Sequence, residues 1–307
     1  MFVQDRWVFQ HTLIKDHLRR AQLNRLLTPV AAVLAVAALT SVSVYADPVD
    51  DTLLIDGEIE MTTRTASVEG HPLPEVISGW HYRSDDTRIM EQDLFDNPGM
   101  LGVEEGEQYW NTVEGTEGKS CASCHDDASE SMAGIGANYP KWSDALGKPI
   151  NLELQINQCR TEQMGAEAYK FDKEGQKPLT AYIKHQSLGQ PVEIDLAQGD
   201  MQKWWENGKE TYYKRTGQLD LSCASCHEKN NGNYIRADHL SQGNVNGFPT
   251  YRLKQSNLVS LHNRFRGCIR DTRAEFPAAF SDELMALEVY TTWRGTGLSV
   301  ETPAVRQ

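Results

Sequence analysis

Positive charge is scarce in this sequence. Its 307 residues hold 30 Lys and Arg against 43 Asp and Glu, a formal net charge of −13. That deficit argues against nucleic acid and anionic membrane surfaces as partners. Long apolar runs are missing as well. The longest, from Pro29 to Val44, is mostly Ala, Val and Leu, and at about 15 residues it is short of the ~20 that a membrane-spanning helix needs. Cysteine is sparse, six in all, and its spacing is not that of a disulfide framework. What remains is ample for folding: the length permits one large domain or two modest ones, and 39% hydrophobic residues with seven tryptophans can bury a core.

The apolar run is preceded by Arg19, Arg20 and Arg25 and followed by Val44-Tyr45-Ala46. That is the order of an export signal with a small-residue cleavage site before Asp47. Residues 1–46 are therefore expected to be a signal peptide, a retained anchor being the competing reading. Cleavage leaves 25 Lys and Arg against 41 Asp and Glu, a net of −16. The mature protein is expected in the periplasm, with no membrane contact after cleavage.

The sequence CASCH occurs twice, at Cys121–His125 and Cys223–His227. Composition alone predicts on the order of 0.003 copies of this haem-attachment pattern. On a helical turn, positions i and i+3 share a face, so Cys121 with Cys124, and Cys223 with Cys226, can each reach the two vinyl groups of one porphyrin. His125 and His227 then sit beneath the irons as axial ligands. Two covalently bound haem c groups are expected. A single zinc held by four thiolates is the competing reading, and it leaves both histidines unexplained.

The halves around these motifs align. Gly106 lies 15 residues before Cys121, and Gly208 lies 15 before Cys223. Pro140 precedes Cys159 by 19 residues, as Pro249 precedes Cys268. The second half carries seven extra residues between motif and proline, in the Asn/Gly-rich stretch EKNNGNYIR, which reads as loop. Each half thus runs helix, haem motif, proline loop, lone cysteine, helix, the plan of class I cytochrome c domains. The expected fold is mainly α: two tandem class I cytochrome c-like domains from an internal duplication, at 101–190 and 191–307, with an N-terminal extension at 47–100 packing on the first. Gly106, Tyr109 and Trp110 should cross Tyr182, and Gly208, Tyr212 and Tyr213 should cross Tyr290 and Trp293. Ser281 should cap the last helix, with Asp282 and Glu283 in its first turn. Lys170–Leu179 reads as polar loop and Leu188–Asp195 as interdomain linker.

The second axial position of each iron is open to several residues. Met164 and His185 compete with Cys159 in the first half, Met285 and His262 with Cys268 in the second, and a Cys159–Cys268 disulfide would remove both thiols. The repeat favours the cysteines, because they occupy matching positions.

Four arginines, Arg264, Arg266, Arg270 and Arg273, surround Cys268. Positive charge favours the thiolate, and arginine offers forked donors for oxyanions. Thiolate, anion clamp and a haem that accepts electrons together point to oxidation of a small sulfur oxyanion at Cys268. The competing reading is that these arginines are solvated or pair with haem propionates and the many acids.

A secreted chain with two CASCH motifs, a lone cysteine after each and NRFRGCIR around the second resembles the SoxA family, the dihaem subunits of the SoxAX cytochromes of thiosulfate oxidation. The resemblance covers most of the mature chain. It implies that Cys268 is both haem ligand and catalytic residue, often as a persulfide, that Cys159 ligates the first haem, and that Arg264 and, in the last helix, Arg294 contact substrate. It further implies oxidative conjugation of thiosulfate to a cysteine of the carrier SoxYZ, an L-cysteine S-thiosulfotransferase activity. SoxX would be the partner subunit and a cytochrome c the electron acceptor. Two other functions share these motifs: a dihaem thiosulfate dehydrogenase forming tetrathionate, and a non-catalytic dihaem electron carrier.

Overall fold

The computed structural model describes residues 52–173 and 175–307; the 1–46 segment read as a signal peptide lies outside them. Turn-forming residues break the extension into short hairpins. β1 (Leu53–Ile55) pairs antiparallel with β2 (Ile59–Met61), and β3 (Arg64–Ala66) with β4 (Glu75–Ile77). A 3-10 turn at Gly79–Tyr82 and α1 (Asp85–Gln92) follow. Leu53, Ile55, Met61 and Trp80 make a small core of their own there.

The first CASCH-bearing half contains α2 (Met100–Asn111), α3 (Ala122–His125) and α4 (Ala128–Ser131). A hairpin of β5 (Lys141–Ser143) and β6 (Lys148–Ile150) leads to α5 (Leu152–Gln163) and α6 (Gln176–His185). The second half opens with α7 (Met201–Tyr213) and α8 (Cys223–His227), then a hairpin of β7 (Tyr234–Ile235) and β8 (Asp238–His239). After β9 (Thr250–Arg252) and β10 (Asn257–Val259) come α9 (Leu261–Asp271), α10 (Asp282–Arg294) and β11 (Val305–Arg306). β11 returns to lie parallel to β9, Val305 opposite Tyr251. Helix predominates, as expected for a mainly α chain.

Two helix crossings organise the cores. α2 crosses α6 at Gly106, where an added Cβ would run into the Pro178 carbonyl and Tyr182. α7 crosses α10 at Gly208, where it would meet the Ala286 carbonyl and Tyr290. Only glycine allows backbones this close. Aromatic rings seal both crossings: Trp110 and Tyr182 lie 5.9 Å apart, Tyr212 and Tyr290 5.2 Å, Trp205 and Trp293 5.0 Å. α10 begins as its sequence requires. The Ser281 side chain accepts from the Leu284 amide at 3.4 Å, and Asp282 and Glu283 complement the helix dipole.

Four expectations need correction. The extension docks extensively on the second half, not only on the first. The Ile77 amide donates to Gln242 Oε1 at 2.9 Å, Asn244 Nδ2 donates to the Ile77 carbonyl at 2.8 Å, and the His71 ring lies 5.7 Å from Trp293. Among the described residues strand β4 pairs with β3 alone, so its other backbone groups take these amide side chains instead. The stretch 170–179 is not all loop: α6 starts at Gln176, with Pro178 in its first turn, where a missing N–H costs little. The second-half insertion is partly ordered as β7–β8. Residues 188–192 are no free tether, for Val192 N donates to the Leu298 carbonyl at 2.8 Å and Val300 N to the Gln190 carbonyl at 2.8 Å.

Between α5, α6, α9 and α10 lies a polar cavity of about 30 Å³, lined in part by Glu153, Lys184, Glu288 and Thr180. His262 Nε2 sits 2.9 Å from Glu288 Oε2, and Asn151 Nδ2 donates to the same oxygen at 2.9 Å. Burial first, and the neighbouring Glu288 charge second, push the Glu153 carboxyl up to about 7.

Candidate active site around Cys268

Each CASCH turn is set by the serine that precedes it and the serine inside it. The Ser222 hydroxyl accepts from Ser225 N at 3.2 Å, and the Ser225 hydroxyl accepts from Ser222 N at 3.1 Å. The same reciprocal pair forms between Ser120 and Ser123, at 3.2 and 2.9 Å. Such a box closes a single turn that is otherwise too short to hold itself. It leaves Cys223 and Cys226 one turn apart, with His227 next.

His227 is oriented from behind. Its Nδ1 lies 2.8 Å from the Ser241 carbonyl, which can only accept, so Nδ1 carries the proton and Nε2 a lone pair. Gly243 flanks the ring; any Cβ there would collide with it. Cys268, from α9, lies within the electrostatic reach of His227. Burial alone would push this thiol up, but the Arg264 guanidinium and His227 outweigh it and bring it down to about 7. The effect is mutual: the Cys268 sulfur raises Arg264 above its usual range. Two of the CASCH thiols behave oppositely. Burial pushes Cys223 up to about 12 and Cys121 up to about 11.

Of the four arginines near Cys268 in sequence, Arg264 faces the thiol. Arg266 lies 4.4 Å over the Phe276 ring, and Arg270 pairs with Asp271 at 3.1 Å in an exposed position. Arg294, expected to line the substrate site, lies beside the second CASCH turn. It is buried, donates to Glu228 Oε1 at 2.7 Å and stacks 4.6 Å over Tyr212.

At Cys159 the neighbouring arginine is committed to structure. Arg160 pairs with Glu114 at 2.5 Å, donates to the Glu167 carbonyl at 3.0 Å and lies 3.6 Å over Tyr169. Gln155 Nε2 approaches the Cys159 sulfur at 3.5 Å. The competing axial candidates have other partners. His185 Nδ1 meets the Thr302 carbonyl at 2.9 Å, His262 faces Glu288, Met164 is buried at the end of α5, and Met285 is buried within α10. All six cysteines are unbridged. Among the described residues no group of three or more His, Cys, Asp or Glu gathers as a metal cluster, so the two CASCH turns do not close around one zinc.

The donors fit a c-type haem: two thiols one turn apart, an imidazole with a free Nε2, and a second sulfur facing it. Three residues near this site carried no local signal in the sequence. Arg83 donates to Asp238 at 2.8 Å across 155 residues of chain, and Arg252 comes from β9.

A family model described as SoxA/TsdA, cytochrome c domain, matches residues 105–192. The L-cysteine S-thiosulfotransferase subunit SoxA of Pseudaminobacter salicylatoxidans is 66% identical over 284 residues, 92% of this chain and 99% of that protein. The subunit of the same name from Paracoccus pantotrophus is 48% identical over 267 residues, 85% of this chain and 91% of that one. The crystal structure of SoxXA from P. pantotrophus superposes with a TM-score of 0.79 at 47% identity, covering 85% of this chain and all of that one.

Proposed function

The chain belongs to the SoxA family of L-cysteine S-thiosulfotransferase subunits, and from that premise we propose that it conjugates thiosulfate to a cysteine of the carrier protein SoxYZ. It is a cytochrome c protein of sulfur metabolism with covalently bound haem c. We read it further as a dihaem protein, with thioethers at Cys121, Cys124, Cys223 and Cys226 and axial pairs His125/Cys159 and His227/Cys268. The two halves, 101–190 and 191–307, are taken as products of an internal duplication, a view supported by the paired glycine crossings and the paired serine boxes. Periplasmic location, after loss of residues 1–46, and association with a SoxX subunit complete the reading. Among the described residues no helix is long and apolar enough to cross a membrane.

The observation that carries the chemistry is that Arg264, one turn before Cys268 on α9, and His227 of the second CASCH turn both act on the Cys268 sulfur. With its ionisation near neutrality, Cys268 is available as thiolate. Arg264, one helical turn earlier on α9, presents a guanidinium to the thiosulfate dianion and holds its terminal sulfur near Cys268. Bound haem supplies the one-electron acceptor. The Cys268 thiolate and the terminal sulfur of thiosulfate form a sulfur–sulfur bond, and the two electrons released pass on, one each, to two oxidised cytochrome c molecules. The carrier thiolate then attacks the outer sulfur of that bond, receives the sulfur–sulfonate group and restores the Cys268 thiolate. The net change is carrier thiol plus thiosulfate giving carrier S-thiosulfonate, one proton and two electrons. Arg294 pairs with Glu228 through Nη1, and its expected substrate contact remains part of this reading, since its buried Nε and Nη2 have no hydrogen-bond partner among the described residues.

The test is steady-state turnover of the haem-loaded protein with its SoxX subunit, thiosulfate, SoxYZ and oxidised cytochrome c. Cytochrome reduction should require the carrier thiol. Tetrathionate formation at the same rate without carrier would instead establish the dehydrogenase reading.

A further inference from the structure

The two helices that carry the lone cysteines start against one side chain. α5 opens at Asn151, whose side-chain oxygen accepts from the Leu154 amide at 3.1 Å and whose Nδ2 donates to Glu288 Oε2 at 2.9 Å. α9 opens without a side-chain cap of its own, and its first turn is held from outside. Asp172 accepts there from Ser260 N at 3.2 Å and from Asn263 Nδ2 at 2.6 Å. His262, the second residue of α9, places Nε2 2.9 Å from the same Glu288 Oε2. The Phe280 amide donates to His262 Nδ1 at 3.0 Å, so Nδ1 holds the lone pair and the neutral ring carries its proton on Nε2, near the carboxylate. One oxygen on α10 thus serves both helix starts. Asn151, His262 and Glu288 are all buried.

The repeat spacing gives Glu288 no counterpart in the first half. Asn151 and Ser260 each lie eight residues before a lone cysteine, and Glu153 and His262 each lie six before. Tyr182 and Tyr290 take the same place at the two glycine crossings, which matches Thr180 of α6 with Glu288 of α10. The Thr180 hydroxyl is buried and has no hydrogen-bond partner among the described residues. Thr180 and Glu288 both line the polar cavity between the halves. A single carboxylate therefore does for both halves what neither does alone. Its effect reaches the sulfurs through stiff helices. Cys159 follows Asn151 by eight residues and Cys268 follows His262 by six, about 12 Å and about 9 Å along the axes at about 1.5 Å per residue. A shift at either helix start is carried to its cysteine.

We infer that Glu288 is a positioning residue for both lone cysteines: it fixes the starts of α5 and α9 against one oxygen, and through them the places of Cys159 and Cys268. This rests on the axial pairs proposed above. Glu288 acts through the helices and not on the substrate, so its loss should appear in the haem signals and in kcat, with KM for thiosulfate near wild type.

The test reads the low-spin EPR g-values of the haem-loaded protein with its SoxX subunit, the signals of the two sites being told apart by Cys159→Met and Cys268→Ala. Glu288→Leu should shift both sets and lower kcat by up to about 100-fold, the cost of a misplacement on the order of 1 Å. Glu288→Gln, which keeps an oxygen in the same place, should restore both. Each helix can also be released alone. Asn151→Ser keeps a capping oxygen but no amide donor; it should shift only the haem proposed at His125 and keep conjugation. His262→Asn keeps an acceptor for the Phe280 amide but falls short of Glu288; it should shift only the haem proposed at His227. A Glu288→Leu protein with a lower Tm and unmoved g-values overturns the inference. If that variant does not fold, unmoved g-values in both Asn151→Ser and His262→Asn overturn it. Unchanged signals in Cys159→Met and Cys268→Ala would instead remove the axial pairs themselves.

Discussion

Two lone cysteines at matching places in the sequence have different surroundings. Cys268 shares its space with Arg264 and His227, whereas the arginine beside Cys159 is spent on Glu114, Glu167 and Tyr169. The contrast predicts a division of labour. Cys268→Ala should abolish thiosulfate conjugation and alter the spectrum of the haem proposed at His227. Arg264→Ala should weaken thiosulfate use by about 10- to 150-fold, the range for a charge-assisted hydrogen bond, with the haem spectra little changed; Arg264→Lys should recover part. Steady-state kinetics with visible spectroscopy decide both. A folded Cys159→Met variant should keep conjugation while the potential of the haem proposed at His125 rises, since thioether is the weaker donor; loss of turnover there would count against the division. Cys268 and Arg264 were legible because they lie within one helical turn. Arg83 and Asp238 were not, since 155 residues separate them and neither has a local pattern.

At the scale of elements, the chain reads most clearly where geometry leaves one residue type. Gly106 and Gly208 stand where helix backbones touch, and the aromatics around them mark the crossing. Gly208→Ala should therefore lower stability by about 1–3 kcal/mol, the usual cost of forcing atoms into a filled contact. Differential scanning calorimetry should show a lower Tm, and an unchanged Tm would mean the helices can part without loss. The α6 start was misread because Gln176, Lys177 and Pro178 look like loop letters. Burial decides otherwise: Gln176 is fully enclosed, and its side-chain oxygen accepts from the Asp172 amide at 3.0 Å. The same limit hid the docking of β4, whose partners are side-chain amides some 165 residues away.

At the scale of the whole molecule, the two halves meet over a polar seam, not a purely apolar one. Glu153 belongs to α5, Lys184 to α6, His262 to α9 and Glu288 to α10. With its carboxyl pushed up to about 7 by burial and the nearby Glu288 charge, Glu153 holds a proton in the folded state that the unfolded chain has already released. Folding is then favoured most below the unfolded carboxyl range, and stability falls as pH rises from about 4.5 through about 7. Urea unfolding across this range should show the fall, and Glu153→Gln should flatten part of it. A slope identical in wild type and variant would locate the proton elsewhere. Alternation and helical period cannot reveal such a seam, because it is made of polar letters that sequence patterns assign to the surface.

The stitching at residues 298–306 has a bearing on how the protein is made. Leu298 and Val300 hold the 188–192 stretch, the Pro303 carbonyl accepts from Asn97, and Val305 joins both Glu91 and β9. These residues leave the ribosome after both CASCH turns and after every segment they fasten. Until they arrive, the extension, the two halves and the sheet lack their common clasp. A change anywhere in residues 298–306 would therefore loosen the extension, the 188–192 stretch and the β9–β11 pairing together.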